Sequence, residues 1–252
     1  MLTTAEALDK ILSAMPDFPA DTVETTQATG RVLRQAVVAE RDQPPFDRVM
    51  MDGVAIAFAD YRDGARAFGI QGQQMAGDPA GRLDSGQCLE IMTGAALPDG
   101  ADCIVPVERI AVADGIATLE EGYEPGERQF IHPRASDYAK GDELLRPGKR
   151  ITPMDIAVIA SAGLAQVDVS ASPVVRVIST GDELVPAGEP IEQHQVRMSN
   201  GPAIVAMLSK HGFANCAEDH LPDEREVLEL RIAQHLDEAD VLVLSGGVSM
   251  GK

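Results

Sequence analysis

The last third of the chain alternates strand-like and helical segments, and this alternation restricts the possible folds more than any other feature. VVRVIST (174–180), FANCAEDHL (213–221) and DVLVLSGG (240–247) are the strand-like runs. The two segments between them carry apolar residues at helical spacing, and Ser199 or Asn200 is expected to cap the first. This order predicts a doubly wound parallel α/β sheet. Because such sheets usually have more than three strands, we expect an incomplete unit.

The first 173 residues mix helical and β-rich stretches. Thr3 and Glu6 form a capping box before an amphipathic pattern, and Thr152 precedes a second helical stretch. A further helix is predicted over ATGRVLRQAVVA (28–39), whereas residues 53–133 hold short β-type runs broken by Asp-Gly turns. We therefore predict a multidomain α+β and α/β protein. Its parts would be a helix-bearing connector domain (1–22 and 141–173), an inserted mostly β module (23–140) and the α/β domain (174–252).

Composition excludes several classes of partner. The formal net charge of −19 argues against nucleic acid, because such partners require a basic surface. No apolar run approaches the roughly 20 residues that cross a bilayer, so no membrane partner is expected. Cys88, Cys103 and Cys216 lack CxxC spacing and are predicted to be buried, reduced thiols. That cysteine usage favours a cytoplasmic protein.

Small and hydroxyl-bearing residues follow two of the predicted parallel strands. Ligands of α/β sheets bind beyond the carboxyl ends of the strands, where glycine turns let backbone N–H groups approach an anion. An ordinary tight turn is the alternative for either turn alone, but two such turns at neighbouring strand ends favour a phosphate site. The residues concerned are Ser179, Thr180, Gly181, Ser245, Gly246, Gly247 and Ser249.

Carboxylates stand beside these turns. Glu183 follows the first turn, and Asp223 is expected to begin the helix after the second strand. Carboxylates next to a phosphate site suggest a bridging Mg²⁺, although Asp223 could equally be an acid favoured by the helix dipole. In the β module, Asp52 lies at a turn and Thr93 at a strand end, and neither is notable alone. The histidines lack metal-binding spacing, and four are predicted to face solvent: His194, His211, His220 and His235.

Six stretches, in order over nearly the whole chain, resemble the molybdopterin molybdenumtransferase family, which includes the C-terminal domain of gephyrin. They are PPFDRVMMDGVAI, IMTGAALPDGADCIVPVE, YAKGDELLRPGKRI, VVRVISTGDELVPAG, VRMSNGPAIVAML and ADVLVLSGGVSMG. The resemblance implies a Mg²⁺-dependent enzyme of molybdenum cofactor biosynthesis. Such an enzyme inserts molybdate into adenylylated molybdopterin and releases AMP.

The same resemblance implies an assembly and roles for individual residues. It implies a homodimer whose active cleft lies between the α/β domain of one subunit and the β module of the other, and a contact with the molybdopterin adenylyltransferase. The catalytic residues would be Asp52, Thr93, Glu183 and Asp223, with the three acids as metal ligands. Ser249 and the Gly246–Gly247 turn would face the pterin phosphate.

The chain departs from the family pattern in three ways. Ala135-Ser136-Asp137 stands where the family has Gly-Glu-Asp. Arg48-Val49-Met50 stands where the family has Asn-Ser-Ala, so hydrogen bonding beside Asp52 must differ. The family continues past GGVSMG into lysines that help to hold molybdate and a further β domain, so we expect a fragment with impaired metal insertion. Two alternatives stay open: a non-catalytic scaffold that binds a partner's disordered segment, and another nucleotide-phosphate-handling enzyme with the same α/β domain.

Overall fold

The computed structural model describes residues 2–246, which form two compact units. The first unit contains the chain up to Ala36, Arg146–Ala160 and the residues from Leu164 onward. The second contains Val37–Leu145 and Ser161–Gly163. In sequence, therefore, the second unit is an insertion within the first.

Within residues 2–246, short strands outnumber helices. The helices are α1 (Thr4–Ala14), α2 (Phe58–Arg62), α3 (Pro153–Ser161), α4 (Asn200–Lys210) and α5 (Arg225–Glu238). The first strands are β1 (Ala20–Glu24), β2 (Val37–Val38), β3 (Arg48–Val49), β4 (Gly53–Ile56), β5 (Ala67–Gln74), β6 (Gln87–Ile91), β7 (Cys103–Pro106), β8 (Ile110–Ala113) and β9 (Ile116–Leu119). The later strands are β10 (Ile131–His132), β11 (Glu143–Leu145), β12 (Gln166–Ser170), β13 (Val175–Thr180), β14 (Leu184–Val185), β15 (Val196–Arg197), β16 (Cys216–Leu221) and β17 (Val241–Ser245).

A parallel sheet in the order β16-β13-β17 organises the end of the first unit. Helix α4 connects β13 to β16, and α5 connects β16 to β17. The central strand is the most buried of the three, with Val175, Val177 and Ile178 in the core. Its register places Thr180 beside Leu221 and Ser179 beside Ser245, so the three carboxyl ends share one edge. The predicted parallel α/β arrangement is confirmed.

The remainder of the first unit holds α1, α3 and an antiparallel ribbon of β1 and β12. The Thr3 hydroxyl accepts the Glu6 amide at 3.3 Å, and the Glu6 carboxylate accepts the Thr3 amide at 2.7 Å, so the predicted capping box is present. The Thr152 hydroxyl likewise accepts the Asp155 amide at 3.3 Å at the start of α3. Both helix starts were predictable because each rests on residues three apart.

The helix predicted over residues 28–39 was wrong. Gly30 has φ +82°, and the Arg31 amide closes a local turn onto the Ala28 carbonyl at 3.1 Å, after which backbone amides bond to distant segments. The Leu33 amide donates to the Lys149 carbonyl at 2.9 Å, and the Arg34 amide donates to the Asp168 carbonyl at 2.8 Å. These tertiary partners outweigh the local helical preference.

The second unit is built on a six-stranded sheet in the order β7-β4-β6-β5-β9-β8. Strand β4 sends Val54 and Ile56 into one apolar cluster and Ala55 into another, so both faces of the sheet are covered. Cys88 and Cys103 are buried here, and burial raises the pKa of their thiols to about 11 and about 12. Cys216, in the first unit, is only partly buried, contrary to the prediction. Of the helices in residues 2–246, none combines the length and apolar character needed to cross a membrane.

Candidate active site

Asp52 and Thr93 meet at one end of the second unit's sheet. Strands β4 and β6 pair antiparallel with Gly53 opposite Ile91, which brings the residue before β4 close to the segment after β6. One oxygen of Asp52, Oδ1, accepts both the backbone N–H and the hydroxyl of Thr93, each at 2.6 Å. The structure therefore brings together two residues that the sequence analysis singled out separately.

This pair depends on backbone geometry that requires glycine beside it. A Cβ on Gly53 would overlap the carbonyl oxygen of Val105 on β7, so β4 and β7 could not pair closely with a larger residue there. The two hydrogen bonds from Thr93, the hydroxyl bond first, lower the pKa of Asp52. Asp52 is therefore an exposed, ionised carboxylate whose Oδ2 has no hydrogen bond to any described residue.

In the first unit, a cavity of about 350 Å³ opens at the carboxyl ends of β13 and β17. Five predicted site residues contribute to its wall: Ser179, Thr180, Glu183, Ser245 and Gly246. The Ser179 hydroxyl is buried and has no hydrogen-bond partner in residues 2–246. A buried hydroxyl of this kind can bind a ligand oxygen without first losing a protein partner.

The last described glycine lies directly against the end of the central strand. Gly246 has φ +114°, and a Cβ there would meet the hydroxyl and carbonyl oxygens of Thr180. Gly246 therefore lets the β17 turn approach β13 closely. Gly247 and Ser249 lie outside the described residues.

Helix α4 begins at this cavity and directs the positive end of its dipole toward it. The expected side-chain cap is absent, since Ser199 makes no capping hydrogen bond. Instead, Asn200 reaches across and donates from Nδ2 to the Ser245 hydroxyl at 3.1 Å. Arg197 also lines the cavity, and its guanidinium donates to the Pro186 carbonyl at 2.8 Å. Neither Asn200 nor Arg197 was predicted as a site residue, although a cation just before a helix start is a signal for anion binding.

The predicted acids occupy different positions around this cavity. The Glu183 carboxylate lies against the Cα of Gly181, and the Glu183 carbonyl accepts the Val196 amide at 2.8 Å, which ties its backbone to β15. Asp223 is not on the cavity wall. It precedes α5 by two residues, and its amide donates to Asp182 Oδ1 at 3.0 Å. In residues 2–246, no three His, Cys, Asp or Glu side chains gather as a metal-binding group.

Two histidines predicted to face solvent do not. His220 is half-buried, and its Nε2 lies 2.8 Å from the Gly181 carbonyl. Because a carbonyl only accepts, Nε2 must carry the proton, and His220 steadies the turn that presents Glu183. His235 is buried, with Nε2 2.7 Å from Asp219 Oδ2. The sequence offered no signal for either contact, because both connect residues distant in the chain.

Comparisons with known proteins agree with this architecture. Residues 2–163 match the family profile described as "MoeA N-terminal region (domain I and II)", and residues 176–252 match the one described as "Probable molybdopterin binding domain". A solved molybdopterin biosynthesis MoeA protein from Pyrococcus horikoshii has a TM-score of 0.85 at 26% identity, and the match covers 99% of this chain and 65% of that protein.

Two similar curated proteins, both named molybdopterin molybdenumtransferase, extend the comparison. The protein from Synechocystis is 39% identical over 255 residues, which cover 100% of this chain and 65% of the relative. The protein from Haemophilus influenzae is 32% identical over 256 residues, which cover 100% of this chain and 62% of the relative. The chain thus spans slightly less than two thirds of these relatives' length. From its domain composition and these likenesses, the chain belongs to the molybdopterin molybdenumtransferase (MoeA) family.

Proposed function

We propose that this chain acts in molybdenum cofactor biosynthesis as a transferase that binds adenylylated molybdopterin and takes part in molybdate insertion with release of AMP. The observation that carries the proposal is the cavity at the carboxyl ends of β13 and β17. It combines an unpartnered buried hydroxyl at Ser179, a helix N-terminus and the cation of Arg197. These three features suit a phosphate-bearing ligand even in a chain with net charge −19.

A magnesium ion fits this site if the substrate supplies most of its ligands. Mg²⁺ is usually held by one or two carboxylates together with substrate phosphates and water, not by an all-protein cage. Glu183 is the first candidate ligand, because its exposed carboxylate lies on the cavity wall. Asp223 is the second candidate, and its backbone amide donates to Asp182 Oδ1. Bound magnesium would neutralise phosphate charge and polarise the scissile phosphoanhydride.

The chain's own residues would position the substrate. Ser179 and Thr180 would donate hydroxyl hydrogen bonds to a phosphate oxygen, while Gly246 keeps the turn close enough for backbone approach. Asp52, ionised and oriented by Thr93, would contribute a second carboxylate to metal binding or orient the attacking oxygen. We infer that this carboxylate serves a site completed by a partner subunit.

A homodimer is therefore part of the proposal, as is a contact with the molybdopterin adenylyltransferase that supplies the adenylylated substrate. The apolar side of α1 supports self-association. Leu8, Ile11 and Leu12 are more than half exposed, and α1 buries none of its residues. Exposed apolar stripes of this kind mark interaction surfaces. Light scattering of the wild type and of Leu12→Glu tests the dimer: a monomeric wild type would contradict it.

The catalytic proposal is tested by measuring substrate binding and AMP release with and without Mg²⁺. Removing the charge in Glu183→Gln should weaken Mg²⁺-dependent binding of adenylylated molybdopterin about ten-fold, the effect of one charge-assisted contact. Glu189→Gln, the same change at an exposed site off the cavity wall, is the matched control. Equal binding by the two variants, or binding indifferent to Mg²⁺, would contradict the role of Glu183.

The same titrations distinguish the alternatives. Tighter binding of AMP or ATP than of the adenylylated pterin would favour another nucleotide-phosphate enzyme. Binding of a partner's disordered segment, without Mg²⁺-dependent binding of the adenylylated pterin, would indicate a non-catalytic scaffold. Mg²⁺-dependent AMP release that is lost in Asp52→Asn and Glu183→Gln would support the transferase.

A further inference from the structure

A second cavity, of about 470 Å³, lies elsewhere in the first unit. It is bordered by the segment after α1, the Gly30 turn, the segment after β12 and the turn that follows α4. Its wall includes Met15, Phe18, Val32 and Phe213. Large apolar side chains that converge on an open cavity of this size are typical of small-molecule sites.

Two arginines line this apolar cavity, and Arg150 brings a positive charge that no described carboxylate pairs with. Arg150 donates from Nε to the Gly30 carbonyl at 3.0 Å and from a terminal nitrogen to the His211 carbonyl at 2.8 Å. Arg31 donates to the Ser170 carbonyl at 2.8 Å and pairs with Asp21 at 3.2 Å. Arg150 forms no ion pair with any residue in the described part of the chain, so its charge is held in place by neutral carbonyls and is not neutralised.

A buried polar atom in the same wall also lacks a partner. The hydroxyl of Ser172 is buried and makes no hydrogen bond within residues 2–246. Buried hydroxyls are normally hydrogen-bonded, because leaving one unpaired costs free energy. An oxygen-bearing ligand would satisfy this group.

We propose that this cavity binds a small amphipathic carboxylate, with an aromatic or branched apolar body against Phe18 and Phe213 and its carboxylate on Arg150. The carboxylate is favoured because a guanidinium with fixed geometry binds it with two parallel hydrogen bonds. Such a ligand would join the β1–β12 ribbon to the C-terminal turn of α4. The N-terminus of α4 lines the candidate active site at a distance of about 16 Å along the helix, from a rise of ~1.5 Å per residue. The site does not depend on the proposed function.

Naphthalene-2-carboxylate is a suitable probe, and naphthalene-2-carboxamide is its uncharged counterpart. Calorimetric titration of the full chain should show one carboxylate bound per chain and about ten-fold weaker binding of the amide, the effect of one charge-assisted contact. Arg150→Gln should weaken binding of the carboxylate by a similar factor and leave binding of the amide unchanged. Arg66→Gln, which alters an arginine stacked over Tyr61 in the second unit, is the control.

Val32→Trp tests the cavity by volume instead of charge, so the proposal stays testable even if Arg150→Gln fails to fold. It should abolish binding of both probes. Equal affinity for carboxylate and amide, or binding unchanged by Val32→Trp, would overturn the proposal. Failure of both probes to bind would also overturn the proposal. If light scattering then shows a dimer that Val32→Trp dissociates, a second copy of the chain covers the cavity.

Discussion

Thr93 donates its backbone N–H and its hydroxyl to the same oxygen of Asp52, each at 2.6 Å. The two residues lie 41 positions apart, and the pairing of β4 with β6 brings them together. Because both donors act on Oδ1, Oδ2 remains available to a cation or a reacting group. Thr93 is thus best understood as the residue that orients Asp52.

Replacing Thr93 with valine should raise the pKa of Asp52 toward its ordinary value. The change removes the hydroxyl bond, the largest cause of the lowered pKa, and keeps the backbone bond and the side-chain shape. Carboxyl-carbon NMR over a pH titration measures the shift directly. Thr118→Val, at an exposed position on β9, should leave the pKa of Asp52 where it is, and an unshifted Asp52 in Thr93→Val would refute this account.

Gly53→Ala should destabilise the protein by about 2 kcal/mol, as expected for overpacking. The added methyl would overlap the Val105 carbonyl and force β4 away from β7. Urea denaturation measures the loss. Gly126→Ala is the matched control, because the methyl there would meet only the side-chain oxygen of Gln129 at 3.7 Å. Equal stability of the two variants would contradict the packing argument.

Asp155→Asn should cost about 1 kcal/mol at neutral pH, a typical value for a lost helix cap. The Lys149 ammonium, followed by the Thr152 amide and hydroxyl, lowers the pKa of Asp155 from 3.8 to about 2. A lowered folded-state pKa stabilises the protein at pH values above 3.8, and this effect is lost as the pH falls toward 2. The difference in unfolding free energy between wild type and variant should therefore shrink on acidification, as urea titrations between pH 7 and pH 3 would show. A difference that stays constant with pH would exclude the ionised carboxylate as its cause.

Asp219→Asn should loosen α5. Asp219 Oδ2 accepts from Arg231 at 2.6 Å and from His235 at 2.7 Å, so the carboxylate ties two points of α5 to β16. Burial raises the pKa of Asp219, but these hydrogen bonds outweigh it and the net pKa is lowered. We expect a loss of about 2 kcal/mol, the usual effect of hydrogen bonds to a charged group.

Hydrogen exchange localises that effect. Amides of α5 should exchange faster in Asp219→Asn than in the wild type, while those of the second unit should not change. Asp237→Asn, an exposed substitution on α5, should leave exchange unaltered. Faster exchange throughout the chain would instead indicate general destabilisation.

Local patterns in the sequence determined much of this protein. The period of the apolar residues predicts β13, α4, β16, α5 and β17, and the capping residues predict the starts of α1 and α3. The glycine turns at Gly181 and Gly246 predict a ligand site at the strand ends. Each of these features rests on residues a few positions apart, so local conformational preference suffices to reveal it.

Only the tertiary structure decided the contacts between distant residues. The Leu33 and Arg34 amides donate to carbonyls far along the chain, so the predicted helix does not form. The Asn200 side chain donates to the Ser245 hydroxyl instead of capping α4. His220 contacts the Gly181 turn for the same reason, because the pairing of β13 with β16 places it near the Gly181 carbonyl. Such bonds depend on which strands pair and in what register. That outcome follows from the packing of the whole core, because no short segment specifies its own distant partner.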